Sequence, residues 1–181
     1  PILDKVDIDR GLENITDLSG LFSGWSNLID ISAMNRFSKS SISNMDDIFS
    51  GCSSLTDISA LEDMDVSNVY SMNRAFSGCS KLSNIQPLAN WNVSKLNSAK
   101  AMFQSCPLES LSPLKDWNVI SLYDIESMFN SCGTSASPLT IDDSNIGSWP
   151  IVNVYNMTNT FCGHFKSITL KWNTGASGSI L

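Results

Sequence analysis

Phe49-Ser50-Gly51-Cys52 and Phe76-Ser77-Gly78-Cys79 are one four-residue phrase written twice, and looser copies follow at Phe103-Gln104-Ser105-Cys106 and Phe129-Asn130-Ser131-Cys132. With Phe22 ahead and Phe161 behind, the phenylalanines step along the chain by 27, 27, 27, 26 and 32 residues. A fixed period of this length marks an array whose units bury their apolar faces only against their neighbours. The long last step places an insertion near 133–150.

Three residues past each Cys a second phrase begins, Leu-x-x-Ile-x-small-Leu, as in Leu55, Ile58, Ala60, Leu61 and again in Leu82, Ile85, Pro87, Leu88. Related spacing occurs at Leu28, Ile31, Ala33, Met34, at Leu108, Leu111, Pro113, Leu114, and in partial form at Leu3, Val6, Ile8 and at Phe165, Ile168, Leu170. Read as a leucine-rich-repeat strand, the phrase turns Ile58 and Ala60 inward and Asp57 and Ser59 outward, because alternate side chains point to opposite faces. The outward positions form two columns. Asp30, Asp57, Asn84 and Ser110 make the first, and Ser32, Ser59, Gln86 and Ser112 the second. Between these phrases the apolar spacing becomes helical, with Val69, Met72 and Phe76, then Leu96, Ala99, Met102 and Phe103, then Leu122, Ile125, Met128 and Phe129. Ser67, Ser94 and Ser121 are placed to cap such segments, and Gly24, Gly51, Gly78 and Gly163 to end them in a left-handed residue.

The expected fold is therefore an α/β repeat solenoid, a leucine-rich-repeat-like right-handed coil with one parallel sheet and short helices or 3-10 turns on the opposite side. The chain, 1–181, reads as a single domain of about seven turns. It divides into an N-terminal partial turn over 1–21, central repeats over 22–160 with the insertion near 133–150, and a C-terminal partial turn or cap over 161–181.

Composition agrees with a folded domain, since 181 residues are 42% hydrophobic and 16% charged, enough to bury one continuous core without metal or disulfide support. The net charge of −7 argues against a nucleic-acid partner, which would need a basic stripe, and disfavours anionic membrane surfaces. No stretch approaches eighteen consecutive apolar residues, so no membrane insertion is expected within this segment. A chain that opens on Pro1 reads as a mature or excised segment of something longer.

Most chemically distinctive residues fall into columns. Cys52, Cys79, Cys106 and Cys132 share one, with Trp25 above and His164 below, while Cys162 lies out of register. Parallel in-register side chains point the same way, so the expectation is free, buried thiols with no disulfide and no metal, there being no Cys-x-x-Cys pair. Trp91, Trp117 and Met64 sit nine residues past the first Leu of their phrases, a repeated position that suggests packing at a corner, with a partly exposed aromatic ladder able to stack on sugars or proline-rich peptides as the alternative. The single His164 takes a core position and is expected to be buried. Asp142 and Asp143 lie in the insertion between Pro138 and Pro150 and read as a solvated loop, without the spacing of a calcium loop. No nucleophile, base and oxyanion donors converge, so no enzyme and no cofactor are expected.

The phrase from Trp91-Asn92-Val93-Ser94 through Met102-Phe103 and Cys106 to Leu108 and Leu111, with its cousins at Asp65-Val66-Ser67-Asn68-Val69 and Phe76-Ser77-Gly78-Cys79, resembles the repeats of BspA-like bacterial surface proteins. The resemblance implies an extracellular or cell-surface protein and a role in adhesion. On that footing the expected function is a cell-surface adhesion or protein-interaction module, binding a protein or glycan on host or neighbouring cells. Its contact surface would be the exposed face carrying Asp30, Asp57, Ser59, Asn84, Gln86, Ser110 and Ser112. A structural stalk or spacer that displays another domain is the alternative.

Overall fold

The computed structural model describes residues 14–37 and 41–172; the expected partial turn through Leu3, Val6 and Ile8 lies outside them. Successive repeats lie side by side, and the segment from Asn44 to Cys52 shows what joins them. The N–H groups of Met45, Asp47, Phe49 and Gly51 donate to the carbonyls of Ser71, Asn73, Ala75 and Ser77, at 3.0, 2.8, 2.9 and 2.7 Å. The intervening N–H groups of Ile48, Ser50 and Cys52 close three-residue turns onto Met45, Asp47 and Phe49. The remaining N–H groups are also paired, that of Asp46 with the Asn44 side chain at 3.0 Å and that of Asn44 with the Thr16 carbonyl of the preceding repeat, as buried backbone requires. The same alternation recurs from Leu18, Met72, Ala99 and Ile125, always with the earlier repeat donating to the later one.

A chain of tight turns stays this flat only if it reverses its twist at intervals, and it does so at left-handed residues. Gly24, Gly51 and Gly78 supply one such position at φ of 78, 75 and 74°. The other falls on Asp47, Arg74, Ala101, Ser127 and Asn159, at φ from 53 to 58°, where a side chain costs about 1–2 kcal/mol relative to glycine. Gly163 has no left-handed φ; a Cβ there would lie 3.0 Å from the Ser131 backbone, so close approach explains that glycine.

The architecture corrects the expected fold class. Among the described residues there is no α-helix and no multi-stranded sheet, and hence no α/β leucine-rich-repeat solenoid. The regular elements are short 3-10 segments, including Ser32–Phe37, Ser59–Leu61, Gln86–Leu88, Ser112–Leu114 and Ile146–Ser148, and two strands, β1 (Leu139–Ile141) and β2 (Phe165–Ile168), paired in parallel. The Leu-x-x-Ile phrase, expected as strand, ends in the 3-10 segments in the repeats that begin at Leu28, Leu55, Leu82 and Leu108, and only its partial copy at Phe165 and Ile168 forms a strand. The phrase expected as helix instead carries single parallel bridges from Asp17 to Asn44, Ser71, Ser98, Asp124 and Asn156 in turn. Ser67 and Ser94 accordingly cap nothing: their N–H groups donate to Asp65 and Asn92, and the Ser121 hydroxyl donates to the Ser94 carbonyl.

The core runs through the repeats as columns. Phe22, Phe49, Phe76, Phe103, Phe129 and Phe161 stack at centroid separations of 5.5 to 6.2 Å with rings nearly parallel. Ile58 is buried and Ala60 half-buried. Trp91, Trp117, Trp149 and Trp172 form a second column, each indole N–H donating at 2.9 Å to a carbonyl of the preceding repeat, on Leu61, Leu88, Leu114 and Ile146. This is the corner packing expected for Trp91 and Trp117. It also shows how the insertion is absorbed. Buried Asn145 accepts from the N–H groups of Asp142 and Ile146 and donates to the Thr140 carbonyl, folding the extra residues into a loop that returns Trp149 to its column.

Candidate interaction surfaces

The seven residues expected on the exposed face do reach solvent, Asp30 half-buried and the other six exposed. Their backbone setting differs from the expectation, because they stand at the entrance of the 3-10 segments. Asp30, Asp57 and Asn84 each accept, through Oδ1, the N–H two residues ahead, that of Ser32, Ser59 and Gln86, at 2.8 to 2.9 Å. Ser110 repeats the contact through its hydroxyl, accepting from the Ser112 N–H at 3.1 Å, and pairs with the Ser112 hydroxyl at 2.7 Å. Short polar side chains favour this local turn. The first column thus holds the turn with one oxygen per residue, and the second column is the freer of the two.

At one end of this face the chain opens a cleft of about 220 Å³ lined by Ile29, Asp30, Ile31, Ser32, Asp57, Ser59 and Ala60. Three of the seven expected residues, Asp30, Asp57 and Ser59, meet there. Asn84, Gln86, Ser110 and Ser112 continue the face on the next two repeats without lining the cleft.

The bridge-bearing side of the repeats presents different chemistry. Asp46 accepts from the Ser71 hydroxyl at 2.6 Å and the Asn73 N–H at 2.7 Å; Asn73 in turn accepts from the Ser98 hydroxyl at 2.6 Å and the Lys100 N–H at 2.9 Å. Lys100 pairs with Glu126 at 2.8 Å, and Asn156 donates to the same carboxylate at 3.1 Å. That pairing raises the Lys100 ammonium and holds the Glu126 carboxyl below the ordinary range. Arg74 grips Asp47 through two bonds of 2.7 and 2.6 Å. These groups are engaged with one another from repeat to repeat.

One residue before each bridge runs a column the sequence reading did not single out: Thr16, Ser43, Tyr70, Asn97, Tyr123 and Tyr155. Tyr70, Tyr123 and Tyr155 are 49%, 39% and 74% exposed, and Tyr123 and Tyr155 stack at 5.5 Å with rings 8° from parallel. Their common offset from the recurring Phe was the available signal.

Cys52, Cys79, Cys106 and Cys132 are free and fully buried, as expected, while Cys162 is free and exposed. Each column thiol donates to a carbonyl of the preceding repeat, on Phe22, Phe49, Phe76 and Phe103, at 2.9 to 3.2 Å. Burial pushes the Cys52 thiol up to about 11 and those of Cys79 and Cys132 up to about 12. His164, expected to be buried below this column, is exposed, because the chain at Gly163 leaves the repeat for β2; its Nδ1 lies 3.4 Å from the Ser135 hydroxyl. Asp142 accepts from the Ser144 hydroxyl at 2.6 Å and its N–H at 2.8 Å, which lowers its carboxyl, and Asp143 pairs with Lys171.

Among the described residues no three His, Cys, Asp or Glu side chains converge as metal ligands, and no helix is long and apolar enough to cross a membrane. Neither a curated protein nor a solved structure matches the chain. A family model does, over residues 16–141 and again over 134–179, and these spans cover the Phe, Cys and Trp columns described above. By that match the chain belongs to the family described as Mycoplasma protein of unknown function, DUF285.

Proposed function

We propose that this chain is a binding module of adhesive type, contacting a protein or glycan partner through the face that carries Asp30, Asp57, Ser59, Asn84, Gln86, Ser110 and Ser112. The observation that carries the reading is the cleft where Asp30, Asp57 and Ser59 meet beside Ile29 and Ile31. Concave, partly apolar surface with a few fixed polar groups is what ligand sites present. The framework beneath hardly changes from repeat to repeat, whereas the outward residues do, so contact chemistry can vary on a constant support. On the same proposal the module works at the cell surface or outside the cell. Kinship with BspA-like surface proteins is part of this reading, supported by the repeated phrases and the family match.

A stalk or spacer role is the second reading, favoured by one observation: the first outward column spends one oxygen per residue on the chain's own backbone. One experiment separates the two. Ser59→Lys, Gln86→Lys and Ser112→Lys, made together, place three cations on neighbouring repeats while leaving the turn-holding oxygens in place. Binding of labelled protein to cultured epithelial cells, measured by flow cytometry, should fall about 10-fold or more with the melting temperature held. Unchanged binding removes this face as the contact surface and leaves the spacer reading.

A further inference from the structure

We propose that the Tyr70, Asn97, Tyr123 and Tyr155 column is a second binding surface, distinct from the cleft face, and that it takes a neutral glycan. The four residues occupy four consecutive repeats and are joined in order by backbone bonds. The Asn97 N–H donates to the Tyr70 carbonyl, that of Tyr123 to Asn97, and that of Tyr155 to Tyr123, at 2.9 to 3.0 Å. Their side chains therefore stand in file, roughly 4.8 Å apart from one repeat to the next.

Two features give the file its chemistry. The first is ring surface. Tyr123 and Tyr155 lie parallel, and Tyr155, the last aromatic of the column, is 74% exposed. Tyr70 stands two repeats from Tyr123, with the shorter Asn97 between them, so the file steps from ring to amide to ring. Aromatic faces accept the C–H faces of a sugar ring, and an amide serves its hydroxyls as donor and acceptor. Tyrosine adds its own hydroxyl at the edge.

The second feature is charge. Two residues upstream of each member stand Asn68, Lys95, Ser121 and Asn153, in the turns that the Val69, Leu96, Leu122 and Val154 N–H groups close. Lys95, which donates to Asn68 at 2.7 Å, is the one cation in the set. No carboxylate belongs to the file, and the chain as a whole carries −7. An anionic glycan would meet a molecule of net charge −7 with the single Lys95 ammonium near the contact, which favours the neutral sugars. Ile120 and Val152 are exposed near Tyr123 and Tyr155, which makes a protein partner the alternative that the experiment must separate.

The test is native affinity electrophoresis of the whole chain through gels containing barley β-glucan, galactomannan or heparin. Retardation in at least one neutral gel and none in heparin is the expected result. Tyr155→Ala and Tyr123→Ala should each weaken the retardation about 10-fold, a ring contact's contribution, and Tyr155→Phe should keep it. Circular dichroism checks that the variants fold, and Tyr155, exposed as it is, can be removed without opening the core. The Ser59, Gln86 and Ser112 lysine variant should be retarded like the parent, so failure of the cleft face and failure of this one are read separately. Free migration in every neutral gel overturns the proposal, as does retardation that survives both alanine variants or appears only in heparin. Loss of cell binding in the tyrosine variants without any retardation of the parent would make the file a protein contact and overturn it equally.

Discussion

Removing one ring from the middle of the phenylalanine column tests whether packing between repeats holds the molecule together. Phe76 is fully buried and stacked at 5.6 Å on both Phe49 and Phe103. Replacing such a residue by alanine costs about 3–5 kcal/mol, and the structure sets the expectation at the upper end. The backbone at Phe76 is pinned on three sides. Its N–H donates to Met102 at 2.9 Å, and its carbonyl accepts from the Cys79 N–H and the Cys106 thiol, both at 3.1 Å. A pinned backbone cannot close the hole. The two lost stacking contacts, about 0.5–1.5 kcal/mol each beyond the area term, lie within that total. Phe161→Ala should cost less, since Phe161 is only half-buried, although its ring stacks on Phe129 at 6.2 Å and also meets Phe165 at 5.8 Å and Trp172 at 5.7 Å. Ser59→Ala on the outer face should stay within about 0.5 kcal/mol. Urea unfolding followed by tryptophan fluorescence gives all three values, and an unchanged denaturant slope shows that stability is what changed. The reasoning is refuted if Phe76→Ala costs no more than Phe161→Ala, or if the two phenylalanine variants match Ser59→Ala.

A thiol reagent at pH 8 should modify Cys162 alone in the native protein and all five cysteines after denaturation; rapid native labelling at Cys79 or Cys106 would contradict their burial. The raised column thiols also set an alkaline limit. The folded state holds these protons up to about 11 or 12 and the unfolded chain only to about 9. Their stabilisation is complete below about 9 and is lost as pH rises towards 12, at up to about 1.4 kcal/mol per pH unit for each thiol. A Cys79→Ala variant should show a shallower decline in the same urea titration. Ser127→Gly relieves a left-handed residue at φ 57° and should raise stability by up to about 1 kcal/mol; a lower melting temperature would show that the side chain contributes more than the strain costs. Trp117→Phe keeps an aromatic ring and removes the N–H that Leu88 accepts; because the Leu88 carbonyl keeps the Trp91 N–H at 3.2 Å, the same urea titration should show a loss of only about 0.5–1.5 kcal/mol, that of one hydrogen bond.

The sequence alone determined what repeats and most of what is buried, His164 excepted. Phe49, Phe76, Phe103 and Phe129 recur at nearly constant spacing because each must meet its copy in the next repeat. The same constraint aligns the cysteines and brings Trp117 under Trp91, so period and core were legible without coordinates. The outward position of Asp57, Ser59, Asn84 and Gln86 was legible too. Only the tertiary structure decided where the backbone hydrogen bonds go. Apolar residues at Val69, Met72 and Phe76 have the spacing of a helix face, but a chain of three-residue turns with a left-handed residue at Arg74 produces the same inward spacing. An α-helix would bond four residues back within the segment; here the Met72, Arg74, Phe76 and Gly78 N–H groups reach Ser98, Lys100, Met102 and Gln104 of the next repeat. Segments this short do not nucleate a helix alone, so the neighbouring repeat settles the matter. Likewise Leu55 and Ile58 fit a strand by alternation, until Asp57 accepts the Ser59 N–H and turns the chain into a 3-10 segment. The exposed tyrosines became a group for the same reason: Tyr70, Tyr123 and Tyr155 are unremarkable singly along the chain, and the bonds between repeats are what set them in file.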